Sequence, residues 1–154
     1  MRSWSPARDA ANLMSGERRR ADYAPSRIVG AVVGVWVAHA MFGVAVFSLS
    51  THARAGASQL ISEFVSTFGL VGALWTCSLT RPCSVPGVVA AYIGGAFWFT
   101  ATDFANPAVT IARALTDTFS GIRPSDIPGF IAAEGAGTAA AVVMFRWLLP
   151  NAMR

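Results

Sequence analysis

Asn106-Pro107-Ala108-Val109 stands between two long apolar segments. An asparagine at a helix N-cap accepts a backbone N–H with its side-chain oxygen, and proline suits the first helical position because it has no N–H to leave unpaired. The residues that follow predict a helix over 107–119, stopped by Gly121 and Pro124, with Val109, Ala112 and Phe119 on one apolar face and Ile111 and Leu115 on another. At about 1.5 Å of rise per residue such a helix is about 18 Å long, roughly half the ~30 Å of bilayer hydrocarbon. With its amino end sunk in an apolar layer, its free N–H groups and partial positive charge repel cations and protons while donating hydrogen bonds to a neutral solute. The Asn106 side-chain amide adds one more donor. In a surface loop the same residues make an ordinary capped helix, and the short motif leaves both readings open.

Other residues able to do chemistry are few. Glu63 and Glu134 each sit inside an apolar run. A carboxylate so placed is either paired within the protein or close enough to the interface to reach water; Glu134 receives no function from the sequence. His39 reads as a packed, hydrogen-bonded residue rather than a ligand. His39, His52, Glu63 and Glu134 lie on separate segments, with no Ser-His-Asp set or paired acids, so no enzyme activity is expected. The two cysteines, Cys77 and Cys83, cannot build a disulfide framework, and no His or Cys cluster has metal-ligand spacing. No cofactor or metal is expected.

The elements that must hold these residues are set by composition. Of 154 residues 54% are hydrophobic and only 13% charged, about half the charged share of a soluble domain. The net charge of +4 comes from twelve basic residues, all arginine. They cluster at the ends of apolar runs, as membrane-flanking charges do, and form no aromatic-interleaved face for nucleic acid. Four runs are expected to span: 28–50, 60–79, 85–102 and 127–149. Residues 1–27 are polar and arginine-rich with no apolar core, so no cleavable signal sequence is read there. With the amino terminus inside, nine arginines fall on the inner side (Arg2, Arg8, Arg18, Arg19, Arg20, Arg27, Arg81, Arg146, Arg154) and three outside (Arg54, Arg113, Arg123). The positive-inside rule therefore predicts both termini on the cytoplasmic side of a multi-pass membrane protein, with 103–126 on the outer side. Trp75 and Trp147 read as interfacial anchors, and Met41, Phe42, Phe97, Trp98 and Phe99 as lipid- or core-facing bulk.

The segment "NPAVTIAR" resembles the second Asn-Pro-Ala half-helix of the aquaporin and aquaglyceroporin (major intrinsic protein) family, in the bacterial subgroup where valine follows the triplet. "GVWVAHAMFG" resembles that family's third span, "SEFVSTFGLV" its fourth, "AAYIGGAFWF" its fifth and "DIPGFIAAEGAGTAAA" its sixth. The likeness covers residues 16–149. It implies an all-α membrane fold: an aquaporin-like bundle, incomplete, of four transmembrane helices and one re-entrant half-helix. The implied activity is passive conduction of small neutral solutes such as glycerol, water and trivalent arsenic hydroxide, with a homotetramer as the implied assembly of a complete chain.

By this resemblance Asn106, Pro107 and Ala108 are the pore triplet. Val109 takes the place of the selectivity-filter arginine, which removes a charge and several donors and widens the constriction. The filter position on the fifth span maps to Gly94 or Gly95, and Asp103 lies near a third filter position. Glu63 matches a glutamate that accepts hydrogen bonds from the half-helix loop. Arg113, one helical turn from Val109 on the same face, is expected to anchor the half-helix; the alternative is partial replacement of the missing filter charge. Small residues at Gly94-Gly95 and along 135–141 permit close helix approach. The family's first two spans and first triplet have no counterpart, although "MSGERRRADYAP" echoes "FSGIRPSDIPGF", as if residues 9–15 were the tail of a first half-helix. Residues 1–8 match nothing and are expected to be disordered. The alternative to a channel is a non-conducting membrane fragment of a decayed or split gene.

Overall fold

The computed structural model describes the backbone of residues 6–149, and the side chains of Tyr23 and of residues 25–149. Every regular element among the described residues is helical: α1 (Pro6–Met41), α2 (Ala57–Thr80), α3 (Val85–Ala96), α4 (Pro107–Arg113) and α5 (Ile127–Leu148). Single 3-10 turns, Pro82–Ser84 and Pro124–Asp126, lead into α3 and α5. Among the described residues three segments are long and apolar enough to cross a membrane: Pro25–Phe42, Ala57–Thr80 and Pro124–Leu148. The chain is an all-helical membrane protein, as the apolar runs require.

The boundaries differ from the sequence reading in four places. The first run was expected to reach residue 50, but α1 stops at Met41. Gly43, at φ 65°, lets the Val44 N–H return to the His39 carbonyl at 3.0 Å, which closes the helix end. Toward the amino end, α1 takes in residues 9–15, read as the tail of a first half-helix, and runs on through Pro25. Its Ala, Arg and Glu content favours helix, and Pro25 removes only one intrahelical bond. Residues 1–5 of the stretch expected to be disordered lie outside the described residues.

The third run, expected at 85–102, yields a helix of only 12 residues, about 18 Å long. Past Ala96 the Thr100 amide and hydroxyl both return to the Ala96 carbonyl, and the chain turns away. Among the described residues the full-length spans therefore number three, with α3 a shorter apolar helix. Finally, α4 is 7 residues long where 107–119 was expected. Beyond Arg113 the backbone is drawn into other partnerships: Ser50 donates to the Ala114 carbonyl at 2.9 Å, and Ile122 donates to the Arg113 carbonyl at 3.2 Å.

α2 and α5 form the centre of the molecule. Their buried positions, Glu63, Ser66, Thr67, Gly72 and Cys77 on α2 and Phe130, Glu134, Gly137 and Ala141 on α5, recur about once per helical turn, and the two helices pack together. Gly137 is the closest approach: a β-carbon there would lie 2.6 Å from the Phe64 carbonyl oxygen. Without water there is no hydrophobic force between lipid-facing helices, so this small-residue contact is what lets them pack. Trp75, read as an interfacial anchor, stacks on Phe145 with centroids 6.4 Å apart. α3 hangs on α2 through the Tyr92 hydroxyl, which donates to the Ser66 carbonyl at 2.9 Å. α1 packs against α4. A small apolar cluster of Phe104, Ala114, Ile122 and Phe130 ties α4 and its flanking loops to α5.

Candidate functional site

α4 begins where the sequence placed it. Asn106 is its N-cap, in extended conformation, and its Oδ1 accepts from the Ala108 amide at 3.0 Å. Pro107 is the first helical residue and has no N–H to satisfy. Thr110 makes the first intrahelical bond, to the Asn106 carbonyl at 3.0 Å.

The loop that delivers Asn106 carries two non-glycine residues at positive φ, Asp103 at 50° and Ala105 at 45°. Such backbone persists only where its surroundings over-determine it. Two buried carboxylates do so here. Glu63 accepts from the Phe104 amide at 3.1 Å and the Thr102 hydroxyl with one oxygen, and from the Ala105 amide at 3.0 Å with the other. Glu134, reaching in from α5, accepts from the Asn106 amide at 3.2 Å and the Thr110 hydroxyl at 2.6 Å. Three consecutive N–H groups, 104 to 106, thus end on acids that are 0% and 1% exposed. Burying a carboxylate is costly unless it is hydrogen-bonded; Glu63 is satisfied on both oxygens by donors that need acceptors equally, and Glu134 on one, its other oxygen having no partner among the described residues. The consequence is a fixed Asn106. Its Oδ1 is engaged by Ala108, and its side-chain NH₂ has no protein acceptor among the described residues.

The other sequence-chosen residues divide. Ala108 is buried behind the cap. Val109 is half-buried, packs against the Phe104–Phe130 cluster, and lines a cavity of about 260 Å³ with Ala31, Gly34, Ala38 and Arg113. Arg113 donates to the Ser120 hydroxyl at 2.5 Å. Asp103 is held against α2, accepting from the Ser66 hydroxyl with one oxygen while the other has no partner. Gly94 and Gly95 are not brought to Val109 by any close contact: both are exposed on α3 with open space around them. No close helix approach uses them, in contrast to Gly137. Glu134 is the loop-holding residue to which sequence reasoning gave no role. The available signal was the rule already applied to Glu63, that an acid inside a membrane run needs a donor.

His39 is buried and bridges two segments, with Nδ1 at 3.0 Å from the Val46 carbonyl and Nε2 at 2.7 Å from the Thr116 hydroxyl. Outside the membrane helices, Asp117 accepts from both the backbone amide and the hydroxyl of Thr51, which holds its carboxyl below the usual carboxylate range. Asp126 accepts from the Arg123 guanidinium at 3.0 Å and from the Arg54 amide at 2.9 Å. These two acids pin the 42–56 connection to the 114–126 loop. No group of three metal-ligating side chains occurs among the described residues.

No family model and no solved structure matches the chain. Among curated proteins it is similar to Aquaglyceroporin AqpS of Rhizobium meliloti (strain 1021), at 42% identity over 153 residues, an alignment covering 97% of this chain and 66% of that protein. The chain therefore spans just under two thirds of the length of the relative it matches. Identity at that level along nearly all of this chain, joined to an all-helical membrane fold, places the chain in the aquaporin and aquaglyceroporin family.

Proposed function

We propose that this chain forms part or all of a channel for the passive passage of small neutral solutes, glycerol and water first among them and trivalent arsenic hydroxide as a further candidate. The observation that carries the reading is the pair of buried carboxylates that immobilise residues 104–106 and leave the Asn106 side-chain NH₂ free to donate. A fixed donor beside the positive end of α4 offers hydrogen bonds to a hydroxyl solute and repels cations. Pro107 and Ala108 complete the motif, and Val109, with Gly94 or Gly95 and Asp103, would make a filter wider than one closed by a guanidinium. Glu63 and Arg113 support the half-helix. The relative's name, an aquaglyceroporin, supports the same solute class. The chain would sit in a bacterial inner membrane with both termini cytoplasmic, and a complete assembly would be a homotetramer.

Stopped-flow swelling of vesicles holding this chain tests the proposal. Glycerol entry above protein-free vesicles, reduced to that background by Asn106→Asp, is the expected result. A second reading, a non-conducting membrane fragment, is favoured by the exposure of Gly94 and Gly95 and by the short α3. Wild-type swelling equal to protein-free vesicles would establish it.

A further inference from the structure

Two cavities meet at Arg113. One, of about 260 Å³, sets Val109, Ala112 and Arg113 of α4 against Ala31, Gly34 and Ala38 of α1. The other, of about 300 Å³, shares Arg113 and Ala38 with the first and continues past His39, Thr116, Thr118 and Ser120. Because the first contains the residue read as the filter position, the pair extends the proposed solute path from Val109 past the end of α4.

Charge is scarce along that path. Among the described residues Arg113 is the one formally charged side chain lining either cavity. The amino end of α4 disfavours cations, but the same dipole leaves partial negative charge at the carboxyl end, where a cation would be drawn in. Arg113 occupies that last turn, four residues and about 6 Å of helix beyond Val109.

A relay of hydrogen bonds holds the guanidinium there. The Val46 carbonyl can only accept, so His39 Nδ1 donates to it and, in the neutral ring, Nε2 accepts from the Thr116 hydroxyl. Thr118 then donates to Thr116 at 3.0 Å and Ser120 to Thr118 at 3.1 Å, which leaves the Ser120 oxygen to accept from Arg113 at 2.5 Å. The carbonyls on either side of Ser120, those of Phe119 and Gly121, are already taken by Arg54 at 2.6 Å. Asp117, the acid of the same loop, is turned to Thr51. No carboxylate pairs with Arg113 among the described residues, so its charge is fixed in place and stands unneutralised.

We propose that Arg113 is a specificity-determining residue of the channel: a cation barrier one helical turn beyond Val109. Position 109 then sets the width of the path and position 113 its charge. The barrier rests on the channel reading above and adds to it that a neutral solute passes where a cation of the same shape does not. A guanidinium keeps its charge at any working pH, so the exclusion does not depend on titration.

Urea and guanidinium are planar and nearly the same size but differ in charge, and uptake of each in radiolabelled form by vesicles holding the full chain tests the proposal. For the wild type, urea uptake net of protein-free vesicles is expected to exceed guanidinium uptake about tenfold or more. Arg113→Gln should cut that ratio several-fold, and Arg113→Lys, which keeps a positive charge, should hold most of it. An unchanged ratio in Arg113→Gln overturns the barrier and leaves the channel reading standing. Should that variant lose urea uptake as well, the wild type decides: a ratio that shrinks several-fold between about 0.02 M and about 0.5 M salt supports a charge barrier, and a constant ratio overturns it. Wild-type urea uptake no faster than in protein-free vesicles overturns the channel reading and the barrier with it.

Discussion

At the scale of single residues, the site rests on two acids that carry unequal shares of the loop. Glu63 satisfies two amides and a hydroxyl, and Glu134 one of each. Removing an acceptor inside an apolar layer leaves its donors unpaired at about 1–3 kcal/mol each. Glu134→Ala should therefore destabilise the protein by about that amount or more, whereas Glu134→Gln keeps a carbonyl oxygen for Asn106 and Thr110 and should stay close to wild type. Thermal unfolding in a single detergent checks both, and equal melting of the alanine and glutamine variants would refute the role. Glu63→Ala should be the more damaging, since it also releases the two positive-φ residues that its contacts over-determine.

At the scale of elements, the α2–α5 contact decides whether Glu63 and Glu134 can converge on one loop. Gly137 is its pivot. A side chain there meets the backbone of Phe64, which cannot rotate away. Gly137→Val should push the helices apart at a cost of about 1–3 kcal/mol and weaken the Glu134 hydrogen bond to Asn106 with it. Gly135→Ala, two residues earlier and facing open space, should be neutral or slightly stabilising. Comparing the two melting temperatures isolates packing from helix propensity. A valine variant as stable as the alanine variant would mean that the two helices do not touch there.

At the scale of the whole molecule, the connection at 42–56 is pinned to the 114–126 loop by polar bonds. Asp117 holds Thr51, and Asp126 holds the Arg54 amide. The Asp117 carboxyl titrates below its ordinary value in the folded chain. A depressed value stabilises the fold at pH above the unfolded value, and that contribution is lost as pH falls through the folded one. Protection of the Thr51 amide against hydrogen exchange should accordingly be full at neutral pH and decline below about pH 4. Asp117→Asn should remove that pH dependence. Protection at Thr51 that is flat down to about pH 2 would show that other contacts hold the loop.

The sequence by itself determined the elements whose signals are local. The apolar runs place α2 and α5 to within a few residues, and Asn106-Pro107 marks the start of α4 because cap and first-turn chemistry are properties of neighbouring residues. The early end of α1, the shortness of α3 and the arrest of α4 at Arg113 were invisible, since each depends on a carbonyl claimed by a residue elsewhere or on a turn that hydropathy does not register. For Glu134 the sequence signalled only that an acid in an apolar run needs a donor, not which one. Its donors, Asn106 and Thr110, lie 28 and 24 residues away, and only the close contact of α5 with α2 brings the two acids to the same loop. Local chemistry set where the half-helix begins; tertiary packing alone decided what holds it there, because buried charges find their partners across space and leave no period in the chain.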